Sequence, residues 1–181
     1  MLFEYTLLAF VVTACTVSLI YCGVTGISPI PSSRPSREFM FSLLPQGFDG
    51  EIVELGAGWG TLAFPLAKRF SNANVHAFEL SPVPWFVMLI RWAFSTCTNL
   101  RLFRANFLKV PIRGETEAVM CYLHSEVLEK VRPKLERELA PGTLFVSNVF
   151  EVPGWIPEAV HKIDCSFCPQ VYVYRVPATV D

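Results

Sequence analysis

Gly56, Gly58 and Gly60 occupy alternate positions in "EIVELGAGWGTLAF", residues 51–64. Glycines this close let a backbone turn tightly, approach a ligand or pack against a helix. Gly56 suits a tight turn and Gly58 a close approach. Gly60 suits helix–strand packing or the freeing of another amide. The start of the following helix adds a field that favours negative charge, for instance a carboxylate. A dinucleotide fingerprint, G-x-G-x-x-G, needs its third glycine where Thr61 stands. A phosphate loop needs Gly-Lys-Ser/Thr, and no lysine adjoins these glycines. About 20 residues on, Glu79 closes "ANVHAFEL", the place where a carboxylate receives ribose hydroxyls. A ribose-bearing ligand is therefore expected, although Glu79 alone does not choose between cofactors.

These residues need strands that stop and helices that start at the right places. "EIVEL" reads as a strand stopped by the glycines, and "TLAFPLAKRF" as a helix with a basic end. Pro65 falls in its first turn or two, where proline is tolerated. "ANVHAFEL" is the second strand. "SPVPWFVMLIRWAFS" is a helix with Ser81 as N-cap candidate and prolines early. It is apolar nearly all round, so it should be well buried or meet a membrane. "NLRLFRA", "EAVMCYL" and "GTLFVSNVF" are strands three to five. Between the last two, Ser125 to Leu139 forms an amphipathic helix in which Pro133 predicts a kink or break. "AVHKIDC" and "QVYVYRV" close the chain as two strands joined by a short loop, hence antiparallel. The alternation implies a Rossmann-like, doubly wound seven-stranded sheet with an antiparallel last strand and ligands at the strands' carboxyl ends.

The chain has 181 residues, 52% apolar and 17% charged, with a formal net charge of −1. That balance leaves no electrostatic footprint for nucleic acid. Residues 5–33 carry no charge. Tyr5 to Val24 would span about 30 Å as a helix, the thickness of a bilayer core. The expectation is one transmembrane helix within residues 1–27, a Pro/Ser linker over 28–36 and one domain over 37–181. A cleaved signal peptide and a buried core helix are the rival readings of the first segment. Arg34 and Arg37 follow the run, which predicts a single-pass membrane protein with a cytoplasmic domain. A bacterial inner membrane is favoured over a mitochondrial one, since residues 1–4 leave no room for an Arg-rich presequence. A short amphipathic pattern at Arg37 to Leu44 precedes the first strand. Of six cysteines, Cys15 and Cys22 lie in the apolar run, while Cys97 and Cys121 have apolar surroundings. Cys165 and Cys168 form half of a zinc site with no evident second half, so no metal is expected.

E-x-G-x-G-x-G is the spacing of motif I in class I S-adenosylmethionine-dependent methyltransferases. The wider chain resembles one branch of them through "SPIPSS", "FMFSLLP", "IVELGAGWG", "VHAFELSPVPWFV" and "LERELAPGTLFVSNVFEVPGW". The branch is the small membrane-anchored protein-lysine methyltransferases, whose eukaryotic members modify the ATP synthase c-subunit and the adenine nucleotide translocase. The resemblance implies S-adenosylmethionine as cofactor, contacted by Glu54, Gly56, Gly58, Trp59, Gly60, Glu79, Asn106 and Phe107. Glu54, Trp59 and Asn106 depart from the branch, where aspartate, a polar residue and aspartate are common. Tyr122 and His124 fall where a methyl acceptor would enter and are the catalytic candidates. Phe150 and Trp155 are the substrate candidates. A protein lysine is the expected acceptor. A lipid or small hydrophobic acceptor and a non-catalytic binding module are the alternatives. No Asp/Asn-Pro-Pro-Tyr motif is present, which disfavours adenine or glutamine N-methylation of that type.

Overall fold

A computed structural model describes residues 4–6, 8–9, 12–13, 16–17, 20–21, 32–112, 115–164 and 170–178. Helix α1 (Arg34–Ser42) opens the folded domain, followed by β1 (Glu51–Leu55), α2 (Ala63–Arg69), β2 (Asn74–Glu79), α3 (Pro82–Ala93) and β3 (Leu100–Arg104). Then come β4 (Thr116–Cys121), α4 (Ser125–Glu138), β5 (Leu144–Asn148), β6 (Ala159–Lys162) and β7 (Gln170–Arg175). The seven strands form one sheet in the order β3-β2-β1-β4-β5-β7-β6. Strands β1 to β5 are parallel, and β7 runs antiparallel between β5 and β6. The chain runs outward from β1 through β2 to β3 and then crosses back to β4 on the other side of β1, so a crevice opens at the carboxyl ends of β1 and β4.

The central strands are apolar on both faces because both faces are covered. On one face α1, α2 and α3 bury Met40, Phe41, Leu66 and Met88 against Ile52, Val75, Ala77 and Met120. On the other, α4 buries Val127, Leu128, Val131 and Leu135 with Val53, Leu55, Phe145 and Tyr174. There the loop after β5 supplies Val152 and Trp155 to the same cluster.

Several local expectations change. Helix α1 begins at Arg34, three residues earlier than the pattern predicted, because Ser33 Oγ accepts from the Ser36 amide at 3.2 Å and Pro35 fits the first turn. Helix α4 runs unbroken through Pro133, whose ring is exposed. The carbonyl it leaves without a donor, that of Glu129, belongs to an exposed residue and can turn to water. Helix α3 is not well buried. Only Pro84 and Met88 are, while Phe86, Ile90, Trp92 and Phe94 are exposed.

The single-pass membrane localisation is corrected. Among the described residues no helix is long and apolar enough to cross a membrane. Residues 4–6, 8–9, 12–13, 16–17 and 20–21 are helical, with Thr13 and Thr16 hydroxyls donating to carbonyls one turn back. A span needs about twenty continuous helical residues, and freedom from charge does not by itself supply that. The remaining positions of the expected 1–27 anchor and the first part of the 28–36 linker lie outside the described residues, as do Cys165 and Cys168. Cys97 and Cys121 are free thiols.

Asn99 closes the end of α2. Its side-chain amide donates to the Ala67, Phe70 and Ala73 carbonyls at 3.1, 2.9 and 2.9 Å. These include orphan carbonyls of the last helical turn. Asn99→Leu keeps the bulk and removes the donor, so urea unfolding should show a loss of roughly 1–3 kcal/mol. An unchanged unfolding midpoint would refute this role.

Candidate active site

The loop after β1 is stitched to the end of β2. The amides of Gly56 and Ala57 both donate to the Phe78 carbonyl, at 3.0 and 2.9 Å. Gly58 and Gly60 have positive φ, +54° and +73°, and their surroundings separate their roles. A Cβ on Gly60 would lie 2.7 Å from the Phe64 ring and 3.0 Å from Met88, so α2 and α3 close on it. A Cβ on Gly58 would meet nothing within 4 Å. Open space therefore lies against the backbone at Gly58 and not at Gly60.

Two buried carboxylates flank this loop. Glu79 accepts the Gly58 amide on Oε2 at 2.7 Å and the Ser81 amide on Oε1 at 2.6 Å. Each oxygen keeps a lone pair for a further donor. Ser81 thus occupies the N-cap of α3 without a side-chain cap bond, its amide taken by Glu79 instead. Glu54 is buried and its Oε2 has no partner. Burial pushes its pKa well above the ordinary value, and the Glu79 charge adds to this against the opposing Ala63 amide. A buried oxygen without a partner beside an open backbone fits a ligand that brings donors or positive charge.

Trp59 is half-buried, and its carbonyl accepts from the Arg91 guanidinium, which stacks 4.4 Å from the Phe64 ring centroid. The loop is so tied to α3. Asn106 Oδ1 accepts the Leu108 amide at 2.9 Å, a turn-forming bond. Phe107 is 4% exposed and belongs to the cluster of Val53, Leu55 and Phe78. Its ring is core, not an open stacking face.

On the neighbouring strands the acceptor candidates converge. Leu55 pairs with Cys121, and Cys121 with Ser147, so the segments after β1, β4 and β5 emerge side by side. The Cβ position of Gly56 lies 2.8 Å from Leu123, which joins Tyr122 to His124. The His124 and Phe150 ring centroids are 4.4 Å apart, and those of Tyr122 and Phe150 6.1 Å. His124, Ser125, Glu126 and Phe150 line a cavity of about 320 Å³. Trp155 does not join them. It is buried edge-on to Phe145, with its indole N–H on Glu136 Oε1 at 2.7 Å. Burial pushes the Cys121 thiol up to about 12, so a thiolate nucleophile is absent there. Sequence reasoning missed Glu126 and Arg91. Both read as ordinary charged helix residues, and no local pattern distinguishes them.

Residues 54–159 match the family model described as the ANTKMT methyltransferase domain. The chain belongs to this family. This ANTKMT-family protein is 30% identical over 155 residues to a protein-lysine N-methyltransferase of Saccharolobus islandicus (strain REY15A), covering 84% of this chain and 96% of that one. It is 32% identical over 134 residues to the adenine nucleotide translocase lysine N-methyltransferase of Mus musculus, over 72% of this chain and 56% of the relative. Its fold matches an RNA methyltransferase from Salinibacter ruber in complex with S-adenosyl-L-homocysteine. That match has a TM-score of 0.74 at 22% identity, over 84% of this chain and 97% of the other, and speaks to the fold alone. The ANTKMT-family chain is a methyltransferase that uses S-adenosylmethionine.

The surroundings of the two glycines predict different losses. Gly58→Ala should cost about 1–2 kcal/mol for the left-handed backbone and weaken cofactor binding in calorimetry. Gly60→Ala should add roughly 1–3 kcal/mol of overpacking and be the less stable variant on thermal melting. The reverse order of stabilities would contradict this assignment. Glu54 predicts a pH effect. Its folded-state pKa lies above the ordinary carboxylate value of 4.5, so the folded chain keeps a proton that the unfolded chain releases. Stability from this group is full below that value and declines as pH rises towards the folded-state pKa. Melts of the cofactor-free protein should show this decline in the wild type relative to Glu54→Gln. Parallel curves would rule it out.

Proposed function

We propose that this methyltransferase N-methylates a lysine side chain of a protein, admitted through the cavity lined by His124, Glu126 and Phe150. The observation that carries this reading is the meeting of two rings and a carboxylate, His124, Phe150 and Glu126, beside the glycine loop. Kinship with protein-lysine methyltransferases points the same way.

When bound, S-adenosylmethionine supplies an electrophilic methyl group on a sulfonium. The chain's own work is to bind, orient and exclude water. In this reading Glu79 receives the ribose hydroxyls on the lone pairs its two amide bonds leave, and Gly58 provides the close backbone. Asn106 borders the adenine end, Phe107 is spent in the core, and Trp59 stands within the loop. The orphan Glu54 Oε2 would be available to accept from the positively charged end of the ligand. A lysine amine is protonated at neutral pH and must lose that proton before it attacks. Glu126, exposed at the rim, draws the ammonium in. The paired His124 and Phe150 rings then line its aliphatic stem, and desolvation against them lowers its pKa. His124, at the N-cap of α4 with no side-chain cap bond, orients the amine through a ring nitrogen, with Tyr122 beside it.

The test is transfer of a labelled methyl group from S-adenosylmethionine by the full chain to a mixed protein, lipid and RNA extract. Label should appear as methyl-lysine after protein hydrolysis. Label in lipid or RNA would overturn the reading. Phe150→Ala should lower kcat/KM for the protein acceptor by roughly tenfold or more, with the cofactor dissociation constant unchanged. Equal loss of cofactor binding would place Phe150 elsewhere.

A further inference from the structure

Among the described residues, Val149 is the only non-glycine with a positive φ, +72°. A β-branched residue in that region is an outlier, held there by its surroundings. Val149 lies between β5 and Phe150, the residue that meets His124. Both sides of this turn are anchored. Before it, Asn148 is fully buried at the strand end, and the Val149 amide donates to the Gln170 carbonyl at 2.9 Å. After it, the Val152 amide donates to Tyr174 Oη at 2.9 Å. Arg132 donates to the Pro153 carbonyl at 2.5 Å, and Trp155 to Glu136 at 2.7 Å. Between these anchors the Phe150 carbonyl is held by Ser147, whose hydroxyl donates to it at 2.6 Å.

We propose that Ser147 is a positioning residue for methyl transfer: its hydroxyl clamps the left-handed turn at Val149 and so keeps the Phe150 ring on His124. The site of action rests on the acceptor reading above, whereas the clamp itself does not. Ser147 is fully buried, so nothing else competes for its proton from solvent. Without the clamp, the turn at Val149 is free to relax towards negative φ, and relaxation swings Phe150 off His124.

Three full-chain variants test this: Ser147→Ala, Val149→Gly and the double variant. The acceptor-independent readout is the proton NMR shift of the His124 ring, which sits in the ring-current field of Phe150. Ser147→Ala should move that shift towards its free value. It should also lower kcat on a lysine-rich peptide on the order of ten- to a hundred-fold, with the S-adenosylmethionine dissociation constant unchanged. Adding Val149→Gly removes the strain that opens the turn, so the double variant should regain the shift and most of kcat. A merely structural role of Ser147 predicts no such rescue. Val149→Gly alone should raise Tm, which reports on the strain even if Ser147→Ala fails to fold. A wild-type His124 shift in Ser147→Ala, no rescue in the double variant, or no rise in Tm for Val149→Gly would overturn the proposal. If the wild type methylates no lysine peptide, the acceptor reading fails while the NMR and Tm measurements still decide the clamp.

Discussion

The buried carboxylate of Glu79 is the constraint around which the glycine-loop end of the molecule is built. A carboxylate taken out of water needs donors in place of its hydration. Here they are the backbone amides of Gly58 and Ser81. One bond closes the loop after β1 and the other sets the first turn of α3. Removing either amide from its place would leave a charge-bearing group without its compensation. The glycine loop and the β2–α3 turn are therefore fixed to each other before any ligand arrives. The Phe78 carbonyl, which receives the Gly56 and Ala57 amides, makes the same link one residue earlier in the backbone.

The second constraint is the unequal covering of the sheet. Three helices pack on one face and α4 on the other, where the loop after β5 completes the layer. Trp155 and Val152 are consequently spent on packing. Their burial, with the bonds to Glu136 and Tyr174, makes that loop rigid enough to carry Phe150 to His124. The cavity at His124 is thus walled by a segment whose ordering comes from the core beneath it.

Much of the frame was legible in the chain because it rests on local chemistry. The seven strands follow from short apolar runs with turn residues at their ends, and the glycine loop and Glu79 from spacing. What was not legible depends on partners distant in sequence. Ser81 was legible as the N-cap of α3, but not the tie of its amide to Glu79. Phe107 and Trp155 look like site aromatics, yet the face that α4 leaves uncovered takes both into the core. Pro133 predicted a break, yet it sits where water can serve the freed carbonyl. Val149 carries no sign at all, since its conformation is imposed by Ser147, Gln170 and the anchored loop. The charge-free run over residues 5–33 states how poorly that segment mixes with water. It does not state what structure it takes, and this is why the membrane expectation outran its support.

The two acidic residues of the site show how one environment can assign two roles. Glu54 and Glu79 stand on adjacent strands and face the same side of the sheet, close enough that the charge of one disfavours the charge of the other. Glu79 is met by two amides. Glu54 is met by one, and its second oxygen by none. The satisfied carboxylate is the fixed acceptor on which the loop is organised. The unsatisfied one is left in a state that a cation would improve, because positive charge offsets both the desolvation and the repulsion from Glu79. A site of this kind favours a ligand that carries hydroxyls at one end and positive charge at the other, and S-adenosylmethionine has both.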